Sequence, residues 1–300
     1  MADYNWAKME GRDILKAFED DPQTMEDCKW GDISAFTWNV LLKARPELAS
    51  KCDWRNLPAW NQMRILLVHP ELVGFANLSE LGGDDCVKLL QELPEIDIDI
   101  PWQNLTGEAW AELLESRPHF ADKCDWSKFD GESWVDLLAS QPCFANRCDF
   151  NLLSGDDIVT LLKSQPLLAD KCDLSKLNGN NWASLLSWQP LLTDKCDFTL
   201  LEGSDWSSLL SHQPLLAAAC DFALLSGEDW DYLLQAQPLF ADKCDFGLLD
   251  GSAWARLLSS RPQFADKCDF GLLDDSDWKL LLKRQPQFAK KRNSAAQKDR

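Results

Sequence analysis

The chain has 300 residues, of which 45% are hydrophobic, and a formal net charge of -19 at pH 7. That composition describes a core-forming protein. The acidic excess argues against direct nucleic-acid contact, because binders of a phosphate backbone need clustered Lys and Arg to release counterions; a protein or peptide partner of basic character is expected instead.

At the N-terminus, Met1 to Asp20 mixes charged with apolar residues and contains no continuous apolar run, so no signal peptide is read there. No later segment approaches the ~18 apolar residues that span a bilayer. A cytoplasmic protein with no membrane contact, no cofactor and no oligomeric partner is expected.

Proline sets the period of everything that follows. Pro22, Pro46, Pro70, Pro94, Pro118, Pro142, Pro166, Pro190, Pro214, Pro238, Pro262 and Pro286 fall 24 residues apart, and only Pro58 and Pro101 lie off that grid. Twelve repeats therefore start at residues 4, 28, 52, 76, 100, 124, 148, 172, 196, 220, 244 and 268. Residues 1–291 are expected to form a single repeat domain, and 292–300 a basic, disordered tail without apolar periodicity.

Counting the Cys of each repeat as position 1, the best-formed repeat runs from Cys244 to Lys267. Asp245 to Leu249 leaves room for a tight turn or one turn of 3₁₀ helix, with Asp245 as its cap. A Gly followed by Ser, Asp, Asn or Glu, as in Gly227-Glu228-Asp229, is expected to supply a turn and the N-cap of a first helix. In that helix Trp254, Leu257 and Leu258 stand at i, i+3 and i+4, which puts three large groups on one face. The proline ends the helix, because the residue before it is pushed out of the α region, and opens a second, shorter helix. In that second helix Phe240 and Cys244, at i and i+4, are expected to face the core. One repeat cannot enclose its own Trp, Leu and Phe, so repeats must stack: an all-α superhelical solenoid of two-helix repeats is predicted.

A 24-residue module with one α-helix and one short, 3₁₀-like helix resembles the leucine-rich repeat variant family of bacterial proteins. The resemblance implies a right-handed superhelix without a catalytic centre. That family's known member type also carries an iron–sulfur module with closely spaced cysteines; the first forty residues here hold only Cys28, so that module is not expected.

Three columns of recurring residues carry both a structural and a functional reading. Nine cysteines (Cys28, Cys52, Cys124, Cys148, Cys172, Cys196, Cys220, Cys244, Cys268) share position 1 and read as core thiols; no CxxC pair favours a metal. The Asp after eight of them caps the corner, or else forms a ladder for calcium or a cationic peptide. The Lys two residues earlier, as in Lys195 and Lys243, is expected to neutralise it. Before each proline lies a polar column that includes Arg117, Gln189, Gln213, Gln237 and Arg261. It either satisfies helix carbonyls or hydrogen-bonds an extended peptide.

Departures from the repeat pattern mark the candidate site. The first four repeats drift, with Ile14, Gln62 and Cys86 at the Trp position and an acidic stretch, Glu95 to Pro101, in place of the second helix. The central repeats become apolar and small: Leu167, Leu191 and Leu215 follow their prolines, and Ala218 and Ala219 replace an Asp-Lys pair. Trp188 and His212 occupy a position that is Ala or Ser in most C-terminal repeats, and are expected to be adjacent. Trp188, His212, Gln189, Gln213, Leu191 and Leu215 are therefore the partner-binding candidates. Three scattered histidines and the lack of any GxSxG, GxGxxG, P-loop or HExxH pattern argue against an enzyme. The expected function is a non-catalytic scaffold; the alternative is an acidic mimic of nucleic acid that occupies a basic protein.

Overall fold

The computed structural model describes residues 4–93 and 100–292. The acidic stretch Glu95 to Asp99 and residues 293–300 of the tail lie outside the described residues. Within them all regular structure is helical, and the chain is an all-α solenoid of 24-residue repeats. It divides into two compact units, residues 1–148 and 149–300. The N-terminal unit contains α1 (Gly11–Asp20), α2 (Ala35–Ala44), α3 (Ala59–Leu66), α4 (Gly83–Glu92), α5 (Gly107–Ser116) and α6 (Gly131–Ser140). The C-terminal unit contains α7 (Gly155–Ser164), α8 (Gly179–Trp188), α9 (Gly203–His212), α10 (Gly227–Ala236), α11 (Gly251–Ser260) and α12 (Asp275–Arg284). Inside each unit, every helix packs against the helix of the adjacent repeat.

Every repeat but that of α4 holds three helical pieces. A three-residue 3₁₀ turn such as Phe246–Leu248 precedes the α-helix, and a 3₁₀ segment of three to six residues such as Pro190–Lys195 follows it. The second helix is thus 3₁₀ rather than α. With three residues per turn, i and i+3 eclipse, so Cys244 no longer lies beneath Phe240: the phenyl ring is buried while the thiol is half-exposed. The short length follows from proline at the first position, with bonds such as Leu192 N–H to the Gln189 carbonyl (3.1 Å) closing i→i+3 rings.

The aromatic positions build the core. The ring at position 3 stacks on the Trp of the α-helix, as in Phe198–Trp206 (5.3 Å between centroids, 18° between planes) and Trp126–Trp134 (5.4 Å, 7°). A Phe from the 3₁₀ segment tilts against the same ring, as in Phe246–Phe264 (6.0 Å, 47°). In α3, where Gln62 replaces Trp, its amide is buried and fully used. Its Nε2 donates to the carbonyls of Trp54 (2.9 Å) and Leu57 (2.8 Å), and its Oε1 accepts from Asn77 N–H (2.7 Å). A polar group at a core position is tolerable only when its hydrogen bonds are all made.

The glycine that opens most of the α-helices has a role other than the expected turn. No described glycine has a positive φ. The cap is the residue before it: Ser226 accepts from Asp229 N–H (3.3 Å), and Asp229 returns a carboxylate to Ser226 N–H (2.9 Å). Glycine is required because the next repeat comes too close for a side chain. A Cβ on Gly155 would lie 2.7 Å from the Lys176 carbonyl oxygen and 2.9 Å from Asn181 Oδ1. Alanine has the higher helix propensity, by ~1 kcal/mol, yet Gly155→Ala is expected to destabilise the C-terminal unit by about 1–3 kcal/mol, because a backbone carbonyl must move. In α12, which no described repeat covers on its C-terminal side, the position is Asp275. Asp275→Ala should leave denaturant midpoints unchanged, and equal midpoints for Gly155→Ala and the parent would refute the packing account.

Candidate functional site

The polar column before each proline is a row of inter-repeat staples. Gln189 Nε2 donates to the carbonyl of Lys163 (2.7 Å), Gln213 to Ser187 (3.0 Å), Gln237 to Ser211 (2.9 Å) and Gln285 to Ser259 (2.9 Å). Arg261 makes the same contact with the Gln235 carbonyl (2.9 Å from Nε). Each acceptor lies in the last turn of the preceding α-helix, where no intrahelical donor remains. Of the two readings of this column, the carbonyl-satisfying one holds, but the helix served is the neighbour's rather than the residue's own. Gln189 and Gln213 therefore work first between repeats.

His69 holds the same rung in the N-terminal unit, with Nε2 3.1 Å from the Lys43 carbonyl and Nδ1 2.9 Å from Glu71. The Lys43 carbonyl, then Glu71, raises its pKa above the ordinary value against a smaller opposing effect of burial. A histidine with a raised folded-state pKa stabilises fully below its unfolded pKa and loses that contribution as pH rises through the folded one. Titrating unfolding midpoints from about pH 8 to about 6 should therefore stabilise the parent relative to His69→Gln, which keeps the rung but does not titrate. Parallel pH profiles for the two proteins would contradict this.

The aspartate column caps. Asp53, Asp125, Asp149, Asp173, Asp197, Asp221, Asp245 and Asp269 each accept the backbone N–H two residues on, at 3.0–3.2 Å. Ser127, Ser175 and Thr199 add a hydroxyl, and these bonds hold the carboxyls of Asp125, Asp173 and Asp197 below the usual range. Lys195, expected to neutralise Asp197, goes elsewhere: its Nζ pairs with Asp170 of the preceding repeat (2.6 Å). The cysteine column is half-buried apart from Cys28, which is buried. Burial pushes Cys124, Cys244 and Cys268 up to about 12, so little reactive thiolate forms. Among the described residues, no group of three or more His, Cys, Asp or Glu is arranged to hold a metal.

A different column is exposed. Leu167, Leu191, Leu215 and Leu239, each directly after its proline, are 93%, 86%, 92% and 61% accessible. They sit at one position of four consecutive repeats whose helices α7 to α10 pack side by side. Trp188, at the end of α8, is 72% exposed. His212 takes the same position on α9, but its imidazole turns back: Nδ1 lies 3.0 Å from the Ser208 carbonyl and 2.9 Å from the Ser211 hydroxyl. No ring contact joins it to Trp188 among the described residues. Leu191, Leu215 and Trp188 are thus exposed at the edge where α-helix gives way to the 3₁₀ segment, while the side chains of His212, Gln189 and Gln213 are hydrogen-bonded to backbone carbonyls.

Two members of this edge were not singled out in the sequence. Leu239 extends the ladder by a repeat, and Tyr232 on α10 exposes half its surface. Leu239 was legible, since it occupies the same post-proline position; Tyr232 carries no signal, because only the helix phase tells an outward Tyr from a core one. The helices of the N-terminal unit present a contrasting surface. A groove of about 540 Å³ between α5 and α6 is walled by Glu108, Glu112, Glu115 and Asp136 over Ala111 and Ala139. No described helix is long and apolar enough to cross a membrane. Comparison with protein-family models, with curated proteins and with solved structures yielded no match.

Proposed function

We propose that this chain is a non-catalytic scaffold that binds another protein along the post-proline edge of its C-terminal unit. The observation that carries this reading is the leucine ladder: four large apolar side chains, in register on consecutive repeats, left in water beside an exposed indole. Soluble monomers rarely expose contiguous apolar patches beyond a few hundred Å² without a binding role. The local composition agrees, since interface cores are poor in charge and rich in aromatics, and the helices that carry Trp188 and His212 hold Ser184, Ser187, Ser208 and Ser211 toward their C-terminal ends. The one histidine of these repeats, His212, is bonded to its own helix, which supports binding rather than chemistry.

The test uses proteins captured from a native lysate. Trp188→Ala alone is expected to weaken the captured partner by at least ~30-fold, as an interface anchor worth ~2 kcal/mol or more would, and Leu191→Asp/Leu215→Asp to abolish capture. Thermal unfolding should be nearly unchanged in both, because the substituted side chains are exposed. Equal capture by parent and variants sinks the reading.

A second reading, mimicry of nucleic acid, draws on the carboxylate-walled groove of the N-terminal unit. It predicts binding to a basic protein that falls steeply from low to moderate salt and is competed by DNA. Retained binding in excess DNA rejects it.

A further inference from the structure

Resting on the reading of this edge as a protein-binding face, we infer that its occupant is a second copy of the chain, seated ladder against ladder. Charge selects this partner. The chain carries -19 and repels its own copy wherever carboxylates are exposed. Along the ladder the charges balance: Asp170 is paired with Lys195 at 2.6 Å, and the third rung carries the uncharged Ala218 and Ala219 where other repeats have an Asp-Lys pair. A basic protein gains nothing from an edge without net charge, whereas an equally acidic one meets no net repulsion there.

Spacing makes the same selection. Helices of adjacent repeats lie ~8–10 Å apart, so the leucines recur at that pitch, and the surface whose pitch matches by construction is the ladder itself. Two ladders running antiparallel about a twofold axis near Leu191 and Leu215 let three leucines of each copy enter the three gaps of the other, an isologous contact that closes at two subunits. The indole of Trp188 then packs on the opposing ladder. Four leucines and one indole at these accessibilities amount to a patch on the order of 600 Å². With the serine rim this approaches the ~800 Å² per partner of a stable standard-sized interface. The monomer expected from the sequence is replaced by a dimer.

Sedimentation equilibrium and light scattering on the full chain, between about 1 and 100 µM, test this. The parent is expected to reach twice the chain mass, with a dissociation constant that Leu191→Asp and Leu215→Asp each raise at least 100-fold. Gln263→Asp, at the same post-proline position one repeat beyond the ladder, is expected to change nothing. Circular dichroism melts establish that all three variants fold. A parent that stays monomeric throughout overturns the inference, and so does a dimer indifferent to both leucine substitutions. If the parent is monomeric while the same variants lose a captured heterologous protein, the protein-binding reading stands and self-association falls.

Discussion

Arg256→Ala is expected to lower the stability of the C-terminal unit by about 3–5 kcal/mol, the cost of leaving a buried charge without its partner. The partner is Asp231 on α10, whose side chain is 4% exposed against 41% for Arg256, and the pair is joined at 2.6 Å from Nε to Oδ2. Gln235 Nε2 donates to the other carboxylate oxygen at 2.7 Å. The two halves of the pair are not equivalent. Removing Asp231 frees an arginine that reaches water, so Asp231→Ala should cost clearly less than Arg256→Ala. Neighbouring repeats supply the reference state: Ala183, Ser207 and Ala255 occupy the Asp231 position, and Ser184 and Ser208 the Arg256 position. Asp231→Ala/Arg256→Ser restores that pairing and should be neutral or stabilising relative to the parent. Burial raises the Asp231 carboxyl above its ordinary pKa despite Arg256. Loss of Arg256 raises it further, so protonation favours the folded variant, and its deficit should be largest near pH 7 and shrink as pH falls toward the carboxylate range. Equal losses for the two single substitutions, or a deficit independent of pH, would falsify the account of a buried, desolvated carboxylate.

Asp231 also shows where sequence reading stops. The 24-residue period, the helix that carries Trp and the paired leucines, and the capping aspartates were legible because each recurs, and recurrence identifies what stacking demands. Asp231 occurs once, among small residues, and nothing local separates a buried carboxylate from a solvated one; its burial is decided by α11 packing over it. The glycine at the helix start was misread as a turn for the same reason, since the clash it avoids lies in the next repeat, at the Lys176 carbonyl for Gly155. The staples escaped half-way: Gln213 was expected to serve helix carbonyls, but that the helix is the neighbour's depends on inter-repeat geometry. The candidate edge was legible at Leu191 and Leu215 because they depart from the Gln263 and Gln287 of later repeats. Trp188 is exposed at the same helix end, whereas the His212 imidazole, beside Ser208 and Ser211, finds hydrogen bonds on its own helix.

Trp206→Ala should cost about 3–5 kcal/mol, and its position makes the loss more than local. Trp206 is buried, stacks on Phe198 and sits on α9, between α8 and α10. In a stack of repeats, stability is a sum of module and nearest-neighbour contributions, so a void in α9 weakens contacts on both sides at once. Trp278 on α12 makes the equivalent stack with Phe270 (5.7 Å), but the described structure places a neighbouring α-helix on one side only. Trp278→Ala should therefore cost less and fray one end of the C-terminal unit. The central substitution should instead broaden its unfolding into two steps as cooperativity between the flanking repeats fails. Trp206→Ile separates volume from ring stacking: Ile158 fills the same position of α7 below Phe150 and is fully buried. An isoleucine should recover roughly half the loss, because it fills part of the cavity without restoring the aromatic contact of about 0.5–1.5 kcal/mol. Urea titrations of the three variants, followed by circular dichroism, decide the matter. If Trp206→Ala and Trp278→Ala shift the midpoint equally and both keep a single transition with the parent slope, neighbour coupling does not hold the C-terminal unit together.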